Sequence, residues 1–258
     1  MLRRSCPVPG TTRPAWPARI SAAILAPIGR YLSRQAAQPL GPVGRLLARI
    51  WIRETAAVND TAIDLLAPAP GERICEIGFG PGRTLTRLAA AGAHVAGVEV
   101  SPTMLAAAAR RNATHLAAGR IHLHHGDGIT LPVADHSLDA VIGVHTIYFW
   151  PDPAATLTDI ARALRPGGRL VLAFRAGEHR LPARFDPTVY HLPTTSQATH
   201  WLHRCPCRTA SGHRRRRMAG GHDLSVGPLP VFGARTTRDA PAWPCRGRRR
   251  GVRVTGGC

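Results

Sequence analysis

Between residues 73 and 174 the chain alternates short apolar runs with stretches of helical periodicity, an alternation few folds accept. Residues 73–77, 94–100, 121–125, 138–144 and 169–174 read as strands, and 84–91, 101–112 and 153–164 as helices between them. Ser101 followed by Pro102 is a cap-and-start signal, while Arg165-Pro166-Gly167-Gly168 is a stop. Strands joined through helices of this length need right-handed crossovers, and hence a mostly parallel sheet covered on both faces. The expected fold class is α/β, a Rossmann-like doubly wound sheet.

The flanks read differently. Leu46, Leu47, Ile50 and Trp51, then Val58, Ala62, Ile63, Leu65 and Leu66, predict two consecutive amphipathic helices that stop before Pro68 and Pro70. Ahead of them, Pro at 7, 9, 14, 17, 27 and 39 predicts an irregular leader over residues 1–42. Residues 193–202 suggest one more helix with a threonine cap, and from 204 onward no strand pattern is visible. The expected organisation is a leader at 1–42, one domain at 43–203 and an Arg-rich, disordered tail at 204–258, so that the sheet lacks a C-terminal β-hairpin. Translation of a GC-rich gene out of frame would explain such a tail, and the coding DNA tests that.

Charge follows the same division. All 34 cations are Arg and the net charge is +19, yet residues 51–200 balance 13 Arg against 13 acids. The excess sits at the two ends, so it identifies no partner for the domain itself. No run approaches the roughly 18 apolar residues of a membrane span, and no secretory signal is recognisable. Of six cysteines only Cys75 lies in the middle region, which argues against a disulfide framework and makes a reducing cytoplasm the expected location. His122, His124 and His125 do not complete a metal shell, because His122 and His124 share a strand face while His125 points away and no acid or cysteine is spaced to join them.

A ligand of an open α/β sheet binds beyond the carboxyl ends of the strands. Glu76-Ile77-Gly78-Phe79-Gly80-Pro81-Gly82 closes the first strand with three glycines that let the backbone approach a ligand. Glu99 closes the second strand 21 positions after Gly78, where a carboxylate can accept ribose hydroxyls. Gly126-Asp127-Gly128 closes the third, where an acid can accept from the exocyclic amine of an adenine. A dinucleotide fits this loop poorly, since its fingerprint wants a third glycine where Arg83 stands and Glu76 adjoins the turn.

These motifs, with Ser101-Pro102-Thr103-Met104-Leu105, Leu138-Asp139-Ala140-Val141 and Leu164-Arg165-Pro166-Gly167-Gly168-Arg169-Leu170, resemble the class I SAM-dependent methyltransferases. The likeness covers about residues 43–203 and is nearest to the small-molecule branch that includes the ubiquinone and menaquinone biosynthesis methyltransferases. It implies S-adenosylmethionine as cofactor. It further implies that Glu76 contacts the methionine amino group through water, that Gly78, Gly80 and Gly82 line the carboxypropyl group and ribose, and that Glu99 holds the ribose hydroxyls. Met104 would pack on the adenine and Asp127 would receive its amino group. Phe79, Val100, Gly126 and Gly128 complete the expected binding set.

The partner expected from this resemblance is a small, apolar or planar methyl acceptor. His145-Thr146-Ile147-Tyr148-Phe149-Trp150 falls where the family places the wall between donor and acceptor, and its aromatic cluster stands out in a chain that is only 5% aromatic. Phe149 and Trp150 serve equally well as a core cover. His145 is the candidate general base, against a purely structural histidine, and Tyr148 is the second candidate catalytic residue. Two other function classes remain open from sequence: a SAM-binding protein impaired by a truncated sheet, and attachment to nucleic acid or an anionic membrane by the basic ends. Against nucleic acid stands the scarcity of stacking residues in the tail, with only Phe232 and Trp243.

Overall fold

A computed structural model describes residues 18–177, 181, 184–204, 214–217 and 223–228. Two long helices come first, α1 (Ala18–Ala37) and α2 (Gly41–Leu66). The alternating region follows as β1 (Arg73–Ile77), α3 (Arg83–Ala90), β2 (His94–Glu99), α4 (Pro102–Arg111), α5 (Ala113–Ala117), β3 (Ile121–His125), β4 (Leu138–Val144), α6 (Pro153–Ala163) and β5 (Leu164–Phe174). Then come α7 (Thr195–Arg204), β6 (Arg214–Arg217) and β7 (Asp223–Pro228). The sheet order is β3-β2-β1-β4-β5-β7-β6, with the first five strands parallel and β7 antiparallel to both β5 and β6.

Every residue of β1 after Arg73 is buried, and so is every residue of β2 after His94, which is why both read as apolar runs interrupted only by Glu76 and Glu99. Strand alternation sends Ile74, Val95 and Ile142 into a core closed by Val58, Ala62 and Leu66 of α2 with Leu85 and Leu88 of α3. The opposite face sends Cys75, Ile77, Val98 and Val141 against Leu157 and Ile160 of α6 and Leu202 of α7. Burial also pushes the Cys75 thiol up to about 12. Capping matches the sequence signals. The Ser101 side chain accepts the Met104 N–H to start α4, Asp152 accepts those of Ala154 and Ala155 to start α6, and Thr194 and Gln197 exchange bonds in a capping box ahead of α7.

Three expectations are corrected. The leader is not irregular throughout: residues 18–37 form α1 with Pro27 inside it, because one proline removes a single backbone bond and can bend a helix without ending it. Residues 1–17 lie outside the described residues. The two helices expected over 43–66 are one, since no breaker separates Trp51 from Val58; the apolar pattern lapses there because Trp51, Ile52 and Thr55 face a cavity and not the sheet. The sheet is also not left open at β5. Although Arg214–Arg217 carries no apolar alternation, extended backbone in β7 and β6 pairs onto the free β5 edge, and backbone pairing requires no side-chain pattern. The remainder of the tail lies outside the described residues.

Gly82 is where helix packing is tightest. Its φ is +79°, and a Cβ there would lie 2.7 Å from Asn112 Nδ2 and 2.8 Å from the Ala108 Cβ. Gly82→Ala is therefore expected to cost about 1–3 kcal/mol of stability with an unchanged denaturant slope, measured by urea unfolding.

Candidate active site

The loop after β1 is held by glycines in left-handed backbone. Gly78 has φ +70°, and a Cβ there would meet Thr146 Cγ2 at 2.3 Å, so this close approach excludes any side chain. Gly80 has φ +53° and open space where a Cβ would sit; its N–H donates to Glu99 Oε2 at 2.8 Å. The other Glu99 oxygen accepts the Ser101 N–H at 2.8 Å, the Ser101 hydroxyl donates to the Pro39 carbonyl, and Gln38 Nε2 donates to the Val100 carbonyl at 3.3 Å. Loop, end of β2, start of α4 and the α1–α2 junction thus meet at one point. Around them lies a cavity of about 460 Å³ whose wall includes Glu76, Glu99, Met104 and Asp127, with Trp51, Thr55 and Asn59 of α2.

Two buried polar atoms in this wall, Glu76 Oε2 and Thr146 Oγ1, have no hydrogen-bond partner among the described residues. Burial raises the Glu76 carboxyl from an ordinary 4.5 to about 8; the Thr84 hydroxyl opposes the shift and the Glu99 carboxylate adds to it. Burial also raises Glu99, restrained by the N–H groups of Ser101 and Gly80. A buried carboxyl oxygen left without a partner creates a strong demand for a donor, and a ligand bearing an ammonium group would satisfy it. Arg83 cannot be that donor. It is clamped by Asp60 through bonds of 2.6 and 3.0 Å, which hold the Asp60 carboxyl below its ordinary range.

The cavity wall brings together Glu76, Gly78, Phe79, Gly80, Glu99, Val100, Met104, Gly126, Asp127 and Gly128, ten of the eleven residues expected to bind the cofactor. Gly82 is the exception, because its backbone serves the contact with α4. The Phe79 side chain is 4% exposed and its ring edge lies against Gly97 of β2, so its ring belongs to the core. Met104 is buried while lining the cavity, which satisfies its core and ligand-facing readings together. Sequence reasoning gave Thr146 no role beyond its place in the expected wall segment, and Asn112 none. Asn112 bonds the Gly82 carbonyl at 3.1 Å and accepts from Thr86 at 2.7 Å, fixing the loop from behind; no motif marks either residue.

A second cavity of about 240 Å³ adjoins the first and shares Ala36, Trp51, Thr55, His145 and Phe149 with it. Its aromatic wall is coupled: Tyr190 lies 4.9 Å from Phe149, 5.5 Å from Tyr148 and 4.8 Å from Phe185, centroid to centroid. His145 sits in left-handed backbone with φ 59°, and its Nδ1 is 3.0 Å from the Tyr148 hydroxyl. That hydroxyl also accepts the Arg175 N–H, and burial pushes its pKa above the ordinary phenol value. Tyr148 and Trp150 are buried in the core, whereas Phe149 is half-buried between the two cavities.

A parallel sheet in this order with an antiparallel seventh strand, a glycine loop after β1 and acids ending β2 and following β3 define a class I SAM-dependent methyltransferase fold. Comparison with known proteins agrees. Residues 75–172 match the family model described as a methyltransferase domain. It is 33% identical over 118 residues to the O-methyltransferase cnsE of Penicillium expansum, which takes in 45% of this chain and 43% of that protein. It is 37% identical over 107 residues to a demethylmenaquinone methyltransferase of Corynebacterium kroppenstedtii, covering 42% of this chain and 43% of the relative. The chain thus spans less than half the length of these curated relatives. A SAM-dependent methyltransferase from Aquifex aeolicus shares the fold at a TM-score of 0.56, with 15% identity over 66% of this chain and 89% of the other. S-adenosylmethionine is the cofactor of this class. The orphaned Glu76 oxygen, the open space at Gly80 and the acid at the end of β2 fit its amino group and ribose.

The Glu76 shift has a sign that can be checked. The unfolded carboxyl ionises near 4.5 and the folded one near 8, so the folded state keeps a proton that the unfolded state loses. Stability without ligand should therefore fall by a few kcal/mol as pH rises through that window. Glu76→Gln should flatten the slope in urea unfolding across the same range, and an undiminished slope would refute the assignment.

Proposed function

We propose that this chain transfers a methyl group from S-adenosylmethionine to a small planar acceptor seated in the aromatic cavity. The observation that carries the reading is the pair of adjoining cavities, one with a buried Glu76 oxygen that has no partner among the described residues and the other walled by tilted and edge-on rings, with His145 and Phe149 common to both. When bound, the cofactor supplies an activated sulfonium methyl, and its transfer leaves the bonding pair on sulfur. Glu76 and Glu99 bind and orient the donor. Phe149, Tyr148 and Tyr190 present ring faces and edges suited to a planar acceptor. Thr146, over Gly78, fixes the wall between the two sites.

The part His145 plays depends on its tautomer. Where the Tyr148 hydroxyl, which accepts the Arg175 N–H, donates to His145 Nδ1, the imidazole hydrogen resides on Nε2. A neutral imidazole in this tautomer donates from Nε2, so it holds an acceptor oxygen by hydrogen bonding. In the other tautomer Nδ1–H donates to the phenolic oxygen and Nε2 is the proton-accepting nitrogen of a general base. The reading as a SAM-binding protein impaired by a truncated sheet loses its premise, because β7 and β6 extend the sheet beyond β5.

Titration calorimetry tests the donor site. At pH 7 both S-adenosylmethionine and its demethylated product are expected to bind with release of up to one proton from Glu76, seen as a heat that varies with the buffer. Glu99→Ala should weaken binding by about tenfold or more, and no heat from either ligand rejects the reading. For the acceptor side, His145→Asn tolerates the left-handed backbone and keeps an N–H donor, whereas His145→Ala keeps neither. Turnover of O-acceptors should fall by about tenfold or more in the alanine variant, with partial retention in the asparagine variant and unchanged donor affinity. Equal loss in both variants would assign His145 a structural role alone.

A further inference from the structure

We propose that the outer face of the α1–α2 hairpin is a docking surface for an anionic lipid bilayer. Every large apolar side chain that stands exposed among the described residues lies here: Ile28, Tyr31, Leu40, Val43, Leu46 and Ile50, each 45% to 58% exposed. Elsewhere the domain covers such groups, so this patch is a departure from its own pattern. On α2 the spacing is ordered. Val43, Leu46 and Ile50 fall at i, i+3 and i+7 and form one stripe, while the exposed Arg45, Arg49 and Arg53 form a second stripe beside it at i, i+4 and i+8. Arg30 and Arg34 stand exposed on α1, and no acid occurs from residue 27 to 53.

An apolar stripe edged by long cationic side chains is suited to the lipid interface. The apolar groups enter the acyl boundary while guanidinium groups reach the phosphates. The same charges disfavour a second copy of the chain, because a two-fold contact through this face would bring together two surfaces on which Arg34, Arg45, Arg49 and Arg53 stand beside the Arg30–Asp186 ion pair. They disfavour nucleic acid less, but phosphate contacts would use the Arg stripe and leave the aliphatic one without a role, and Tyr31 alone could stack on bases. The opposite face of the same α2 segment, at Ala48, Trp51 and Thr55, walls the donor cavity. A bilayer held on the outer face would lie about one helix diameter, some 10 Å, from that wall. The docking surface itself does not depend on the reaction proposed above.

Flotation of the full chain with vesicles tests the proposal. Phosphatidylcholine vesicles containing phosphatidylglycerol are expected to carry the protein, and phosphatidylcholine alone to carry at least about tenfold less. Because the basic ends could bind such vesicles by charge alone, the deciding variant is Val43→Ser/Leu46→Ser/Ile50→Ser, which keeps every Arg and touches no cavity residue. It should lose about tenfold or more of vesicle binding while keeping the parent's circular dichroism and S-adenosylmethionine affinity. In parallel, Leu46→Trp should show a blue-shifted emission with the anionic vesicles, quenched by brominated acyl chains. Parental binding by the serine variant, or an unshifted Leu46→Trp emission, overturns the proposal. So does a parent dimer that the serine substitutions dissociate, or tighter binding of the parent to duplex nucleic acid than to vesicles.

Discussion

The carboxylate of Glu99 is the fastening on which the site depends. Its two oxygens take the N–H groups of Gly80 and Ser101, so one buried side chain fixes both the turn off β1 and the start of α4. Ser101 passes the constraint on by capping α4 and donating to Pro39, where α1 gives way to α2. Removing that carboxylate would leave two buried backbone donors without acceptors, and would free the loop from the helices that roof the cavity. A carboxylate with both oxygens engaged by backbone is also pre-oriented, with remaining lone pairs available to hydroxyl donors. Geometry that holds the fold together here is the same geometry that shapes the cavity.

Much of this was legible in the sequence because local chemistry dictated it. Buried parallel strands must be apolar throughout, glycines must stand where Cβ atoms would collide, and Ser, Asp and Thr must stand where helices begin. Those signals located β1 to β5 and the loop, and ten of the eleven residues expected to bind the cofactor line one cavity. Gly82 was grouped with Gly78 and Gly80 because a run of glycines says that space is short without saying what occupies it. At Gly78 the neighbour is Thr146 and at Gly82 it is α4.

What escaped was set by distant partners. The single helix α2 looked like two because its apolar pattern lapses over a cavity that only the folded chain possesses. Strands β6 and β7 pair through backbone on an edge that β5 provides, so their side chains did not announce them. Thr146 and Asn112 carry no motif, and they matter because chain segments far apart in sequence converge on the β1 loop. The aromatic run after β4 was visible as a concentration, but only the tertiary structure divided it into buried Tyr148 and Trp150 and a shared Phe149.

Cys75 lies at the centre of the sheet, fully buried between β2 and β4, with its thiol pushed far above physiological pH. Such a sulfur is inert toward alkylating reagents and mild oxidants while the sheet is closed. Its modification then becomes a clock: each labelled peptide spanning residue 75 records one opening of the central strands. Rates of labelling with and without bound ligand would measure how far occupation of the cavity slows the breathing of the core beneath it.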